Sequence, residues 1–182
     1  DRLLSATADR LGTQALGLAI CSPCTQRSVM RAEAAQRAGA TFLVVTPPPY
    51  NKPTQDGIRC HVEAIAGATS LPVIVRDEPD RTRIGLDDET ITRLCRLPTV
   101  AAIAFAAGDF RRAALADHHS RGRVRAICGS DFDAVLGQSD ERCGWLSSAI
   151  NIDPERCLDL WRSRLNGDWR TSIRIGRDLR MQ

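Results

Sequence analysis

Short unbroken apolar runs alternate with stretches of helical period along the chain, and this alternation restricts the fold more than any other feature. Residues 15–20, 41–46, 72–75, 100–103, 124–128 and 144–147 read as strands. Helical spacing covers 1–11, stopped by Gly12, and then 25–38 with Thr25 as its cap, 58–68, 87–95, 110–118, 132–139, 154–165 and 168–179. Segments 47–57, 76–85 and 104–108 read as the loops that follow three of the strands. Continuously apolar strands separated by helices belong to a parallel sheet covered on both faces. Six strands at roughly 25 to 30 residues per unit fit a doubly wound sheet or most of an eight-fold barrel. Periodicity alone leaves both open. No glycine-rich dinucleotide fingerprint follows any strand, which weighs against a nucleotide-binding sheet.

Composition narrows the class further. With 43% hydrophobic and 26% charged residues and a net charge of +3, the 182 residues suit one core, or one large piece of a bigger domain. Disorder, collagen and coiled coil are excluded. The apolar runs are too short to span a bilayer. The start, Asp1-Arg2-Leu3-Leu4, lacks the basic-then-apolar order of a secretory signal, so the expected compartment is cytoplasmic. Seven cysteines at irregular spacing give no disulfide framework, and most are expected to be small buried hydrophobes. Arginines interspersed with acids give no nucleic-acid footprint. Of the 25 basic residues only Lys52 is a lysine, so any chemistry that needs an amine has one candidate.

Several segments carry a resemblance. Val44-Val45-Thr46-Pro47-Pro48-Pro49-Tyr50-Asn51-Lys52-Pro53-Thr54-Gln55-Asp56-Gly57 is similar, with one extra proline, to the "VTPYYNKPTQEG" signature of the dihydrodipicolinate synthase and N-acetylneuraminate lyase family. His61-Val62-Glu63-Ala64-Ile65-Ala66 and Leu71-Pro72-Val73-Ile74 resemble its "HFKAIAEATDLPVI". Pro79-Asp80-Arg81-Thr82 resembles "PGRTG", and Ala107-Gly108-Asp109-Phe110 resembles "SGDL". Cys128-Gly129-Ser130-Asp131 resembles "SGDD", and the segment from Gly144 to Asn151 resembles "GVISVAAN".

The resemblance implies a (β/α)8 barrel with its active site at the C-terminal strand ends. It implies an incomplete barrel here, about strands 3–8 over residues 1–152, with the last barrel helix and the start of a C-terminal helical region over 153–182. The family's first two strands and its "GTTGE" loop are not in this sequence, so a segment of a longer protein is expected.

By that resemblance the residues that should bind pyruvate as a Schiff base have changed. The family pattern "GIKEASGD" is matched by Ala102-Ile103-Ala104-Phe105-Ala106-Ala107-Gly108-Asp109, so Ala104 stands where the lysine belongs. Buried lysines lose proton affinity and become amine nucleophiles, and an alanine cannot. Arg76 stands at the position of the family tyrosine that shuttles protons. Tyr50, the chain's single tyrosine, matches the one that reaches across a dimer interface. Arg81 matches an arginine that holds a substrate carboxylate. Gly129, Asp131 and Leu146 fall on the segments that line the substrate.

The run Arg76, Asp77, Glu78, Asp80, Arg81, Arg83 crowds a strand end expected at the barrel mouth. It reads as a self-satisfied ion-pair network or as a pocket for an anionic or zwitterionic ligand, with Arg76 and Arg81 as carboxylate donors. A metal held by Asp77, Glu78 and Asp131 has no fixed geometry behind it, and no metal or cofactor is expected. Cys21-Ser22-Pro23-Cys24 has redox or zinc half-site spacing without a second pair, and reads as two loop residues before it reads as a reversible thiol site. His118 and His119, neighbours on a helix, point apart and suit the helix C-terminus. His61 is expected at a surface or interface.

The expected function is that of a family member unable to form the usual pyruvate imine. The alternatives are a non-catalytic protein that binds an oxo acid or regulates a partner, and lysine-independent chemistry at the charged mouth. A small oxo acid or other carboxylate is the expected ligand, and a homodimer or homotetramer the expected assembly, with neither nucleic acid nor membrane as partner.

Overall fold

The computed structural model describes residues 6–7, 15–105, 110–129, 131 and 143–180. Six parallel strands form one sheet: β1 (Gly17–Ile20), β2 (Phe42–Val45), β3 (Val73–Asp77), β4 (Val100–Phe105), β5 (Arg125–Cys128) and β6 (Gly144–Trp145). Their order in the sheet is their order in sequence, and every neighbouring pair is parallel. A doubly wound sheet needs a point where the order reverses. Here there is none, so each crossover advances the sheet in one direction, as in a barrel wall.

The crossovers carry helices α1 (Thr25–Arg37), α2 (Gln55–Gly67), α3 (Asp88–Leu94) and α4 (Phe110–Ser120), and α5 (Pro154–Leu165) and α6 (Trp169–Arg180) follow the last strand. Helix α2 begins where the Thr54 hydroxyl accepts the Gly57 N–H at 3.1 Å. Its buried residues Ile58, His61, Val62, Ile65 and Ala66 follow the i, i+3, i+4, i+7 stripe of a helix lying on a sheet. Asp87 caps α3 through the Thr90 N–H at 2.7 Å. Asp153 caps α5 through the Arg156 N–H, with Pro154 at the first helical position.

Alternation along the strands sorts side chains between two faces. Leu43, Val45, Val73, Val75, Ile103 and Phe105 join Ala32, Ala35, Ile58, Val62, Ile65, Ile91, Leu94 and Ala116 in one core between sheet and helices. Residues of opposite parity, among them Val44, Ile74, Arg76, Ala102, Ala104 and Ile127, therefore face the concave side. At the start of the sheet Gly17 pairs with Phe42, and a Cβ on it would run into the Phe42 ring, so any side chain here would have to displace that ring.

The structure corrects several sequence boundaries. β3 runs on through Arg76 and Asp77, and β4 through Ala104 and Phe105, where loops were expected. Their ladder decides this, since Arg76 pairs with Ala104 and Asp77 with Phe105, and backbone pairing is indifferent to the charge of the side chains. β6 is shorter than expected, and Pro79–Thr82 forms a helical turn inside the expected loop. Cys24, not Thr25, occupies the N-cap of α1. The thiols divide as well: Cys21, Cys24 and Cys60 are exposed, and Cys95, Cys128 and Cys157 are buried. The expected helix at 132–139, Gly12 and most of the first helix lie outside the described residues, as do Ala107, Gly108 and Asp109. Among the described residues no helix is long and apolar enough to cross a membrane.

Candidate active site

The register carries one row of residues across the concave face near the strand C-termini. Arg76 on β3 pairs with Ala104 on β4, Ala104 with Ile127 on β5, and Ile127 with Gly144 on β6. Ala104 is fully buried at the penultimate position of its strand. It presents a methyl group beside an arginine. Among the four residues of this row the guanidinium is the single ionisable side-chain group.

That guanidinium is already engaged. Arg76 Nη2 lies 2.7 Å from Glu78 Oε1, and Arg81 Nε lies 3.4 Å from Glu78 Oε2. Glu78, with its side chain 15% exposed, is thus shared by the two arginines for which a ligand carboxylate was expected. Arg76 Nε is buried without a hydrogen-bond partner among the described residues. A buried donor left unmatched is costly, and an acceptor brought by a ligand would satisfy it.

Alternation splits the charged run that looked continuous in the sequence. Asp77 is 1% exposed and turns to the helix layer, where its carboxylate accepts Arg112 Nη1 at 2.6 Å and the Leu86 N–H at 3.2 Å. Arg112 Nη1 also donates to the Leu86 carbonyl at 2.7 Å, and its guanidinium lies 5.7 Å from the centroid of the Phe105 ring. Asp77 therefore ties α4 to β3 and β4 and takes no part in the mouth. Asp77 is thereby turned away from Glu78, and Asp131 Oδ2 accepts the Ser148 and Ala149 N–H groups at 3.2 and 3.1 Å, so the three carboxylates considered for a metal are not brought together. Among the described residues no three His, Cys, Asp or Glu side chains are grouped to hold a metal ion.

The remaining site candidates are placed as follows. Gly129 continues β5 and donates its N–H to the Phe105 carbonyl at 2.9 Å, while Leu146 donates to the Cys128 carbonyl at 2.9 Å. Both extend the sheet beyond its last assigned pairs, and parity sends their Cα substituents to the concave side with Ile127 and Gly144. Pro47, Pro48 and Pro49 are buried, and Tyr50 after them is 88% exposed at a left-handed φ of 70°. Lys52, in the same loop, is exposed at φ 43°. The structure brings Arg76, Ala104, Glu78 and Arg81 together, whereas Tyr50 and Lys52 stand out in solvent.

Two functional-looking groups take roles that the sequence did not suggest. His61 is 1% exposed rather than at a surface, its Nδ1 is 2.9 Å from the Thr25 hydroxyl, and its Nε2 is buried without a hydrogen-bond partner among the described residues. Burial pushes its pKa below 6.5. The signal was present in the spacing Ile58, His61, Val62, Ile65, which puts the imidazole on the buried stripe. Glu78 was visible only as one charge among six, and its selection by two arginines depends on the turn at Pro79–Thr82. His119 lines a groove of about 570 Å³ on the helix layer with Glu63, Asp88, Arg93 and Arg96.

The match to known proteins covers this whole framework. Residues 3–180 match the model of the Dihydrodipicolinate synthetase family. The chain belongs to that family. It is 32% identical over 152 residues to a 4-hydroxy-tetrahydrodipicolinate synthase of Phenylobacterium zucineum, an alignment that covers 84% of this chain and 52% of the relative. A protein of the same name from Rhizobium meliloti is 31% identical over 163 residues, covering 85% and 53% of the two chains. The chain thus spans about half the length of the curated relatives it matches. A crystal structure of dihydrodipicolinate synthase from Thermotoga maritima superposes with a TM-score of 0.87 at 25% identity, over 98% of this chain and 62% of that one. The six-stranded sheet with its helices is accordingly part of a (β/α)8 barrel, and its C-terminal strand ends are the face on which barrel enzymes build their sites.

Proposed function

We propose that this member of the dihydrodipicolinate synthetase family does not form a pyruvate imine and that its barrel mouth binds a small oxo acid or related carboxylate reversibly. The observation that carries this reading is the row Arg76, Ala104, Ile127, Gly144, in which the strand position expected to offer an amine offers a methyl group. Imine formation needs a free amine within bonding reach of a carbonyl carbon. The one lysine in the sequence, Lys52, is exposed in the loop after Pro49 and is not part of this row. What the mouth does offer is positive charge. Arg76 and Arg81 flank Glu78, and Arg76 Nε is a buried donor in search of an acceptor. An incoming carboxylate competes with Glu78 for the same guanidinium fork, so binding is expected to be weak. Gly129 and Leu146 would form the adjoining wall, with Asp131 holding the turn beside it through its two backbone bonds.

A role in assembly is proposed beside this. Tyr50 is held out by three buried prolines at 88% exposure, the placement expected of an aromatic that completes a contact with a second copy, as a homodimer or homotetramer. Light scattering on the full-length protein and on Tyr50→Ala tests this, with dissociation expected in the variant.

Titration calorimetry with pyruvate and other short oxo acids tests the binding proposal. Saturable reversible binding is expected, and Arg76→Leu should abolish it. Equal binding by the wild type and Arg76→Leu would remove the basis for placing the ligand at the mouth.

A further inference from the structure

Two cysteines meet between the end of β5 and the start of β6, on the face opposite the proposed ligand. Cys128 closes β5, and Cys143 stands one residue before Gly144, which opens β6. The register Ile127↔Gly144 and Cys128↔Trp145 gives Cys128, Cys143 and Trp145 the same parity. All three face the helix layer, where Trp145 stacks on Trp161 of α5 with ring centroids 6.0 Å apart. The two Sγ atoms are 3.9 Å apart, although 15 positions separate the residues in sequence. Neither cysteine is in a disulfide.

We propose that Cys128 and Cys143 are a dithiol–disulfide modification site whose oxidant is a small-molecule disulfide. A disulfide needs its sulfurs at about 2.05 Å, so each would move by about 1 Å, the scale of a side-chain rotation. The pair is asymmetric. Cys128 is 8% exposed, and its hydrogen bond to Cys143, reinforced by burial, pushes its pKa well above that of an ordinary thiol. Cys143 is only part-buried and its thiol also reaches the Gly144 carbonyl at 3.5 Å. Cys143 is therefore the sulfur that meets the oxidant. Its thiolate attacks one sulfur of the small disulfide, forming a mixed disulfide and releasing one small thiol. Cys128 then loses its proton and attacks the Cys143 sulfur, releasing the second small thiol. Two electrons and two protons pass to the oxidant, and one protein S–S bond forms.

The guanidinium of Arg164 is positioned to assist the second step. Arg164 on α5 is 2% exposed, lies 5.3 Å from the centroid of the Trp161 ring and acts on Cys128 both through space and by hydrogen bonding, opposing the upward shift of the thiol. A buried cation beside the resolving sulfur stabilises its anion as it forms. The bond would also fix the mouth. Cys128 immediately precedes Gly129, and its carbonyl accepts the Leu146 N–H, so a cross-link at this point joins two strands whose next residues line the proposed ligand.

Equilibration of the protein with graded ratios of oxidised to reduced glutathione, followed by alkylation and peptide mass spectrometry, tests the proposal without reference to ligand binding. The expected product is a Cys128–Cys143 cross-linked peptide, lighter by two hydrogen atoms than the two reduced peptides and restored to them by a reductant. Cys128→Ser should stop the reaction at glutathione on Cys143, whereas Cys143→Ser should leave Cys128 unmodified. The double variant Cys21→Ser, Cys24→Ser should form the cross-link as the wild type does. Alkylation of both thiols in the wild type after full oxidation, a glutathione adduct on Cys143 that never resolves, or a cross-link from Cys143 to Cys157 instead would each overturn it.

Discussion

Substitution of Asp77 by alanine tests a buried ion pair that ties helix to sheet. The carboxylate is 1% exposed and accepts from Arg112 at 2.6 Å and from the Leu86 N–H at 3.2 Å, and the Arg112 side chain is only 14% exposed. Asp77→Ala takes one carboxylate away from a nearly buried guanidinium that also faces the Leu86 carbonyl and the Phe105 ring. Breaking a buried pair from one side costs about 3–5 kcal/mol, because the surviving charge loses a close partner in a place where water cannot replace it. Asp77→Asn keeps an acceptor for the Leu86 N–H and loses only the charge-assisted bond, worth about 1.5–3 kcal/mol. Removing both ends together, in Asp77→Ala with Arg112→Met, should recover much of the loss, since no orphaned charge is left. Urea unfolding followed by circular dichroism measures all three, with the midpoint expected to fall most for Asp77→Ala while the slope stays constant. A single alanine variant within about 1 kcal/mol of the wild type would refute the reasoning, since that is the worth of an exposed pair. So would a double variant whose loss equals the sum of the two single losses.

Three further outcomes follow from particular residues. The folded-state pKa of His61 lies below 6.5, so the unfolded chain binds the extra proton first and stability should fall as pH drops through that value, levelling off below the folded pKa; His61→Gln should flatten this slope in unfolding curves measured between neutral and mildly acid pH. Burial pushes the Cys95 thiol up to about 11, so iodoacetamide at mildly alkaline pH should label exposed Cys21, Cys24 and Cys60 before Cys95, which peptide mass spectrometry reads directly. Glu78→Gln weakens the internal competitor for Arg76 and Arg81 and should tighten oxo-acid binding several-fold in calorimetry; weakened binding would mean instead that Glu78 holds the arginines in their working positions.

Much of the barrel was legible because its signal is local and repeated. Apolar runs such as Leu43 to Val45 and Val73 to Val75 read as strands from their composition, and the stripe of α2 from its spacing. The strand ends were not legible, since Arg76 and Asp77 look like loop residues until the pairing of Arg76 with Ala104 and Asp77 with Phe105 is known. The same pairing decides the fate of the charged run. Parity sends Arg76 inward and Asp77 outward, a distinction that exists only once the strand is known to continue. Arg112 lies 35 positions from its partner Asp77, and no short-range pattern links them. The choice between a doubly wound sheet and a barrel wall was open for a similar reason: strand order is a property of the sheet, and the periods of individual elements do not contain it. Alanine at position 104, by contrast, was apparent from the motif around it, and the structure supplies its neighbours.

The central claim concerns the amine that this row lacks, and borohydride reduction in the presence of pyruvate meets it directly. The protein is incubated with pyruvate, reduced, and weighed intact by mass spectrometry, with Ala104→Lys carried in parallel. The wild type is expected to keep its mass, because Ala104 cannot form an imine and Lys52 lies exposed in the loop after Pro49, outside this row. A stoichiometric gain of one reduced pyruvate on the wild type, mapped to Lys52, would contradict the account.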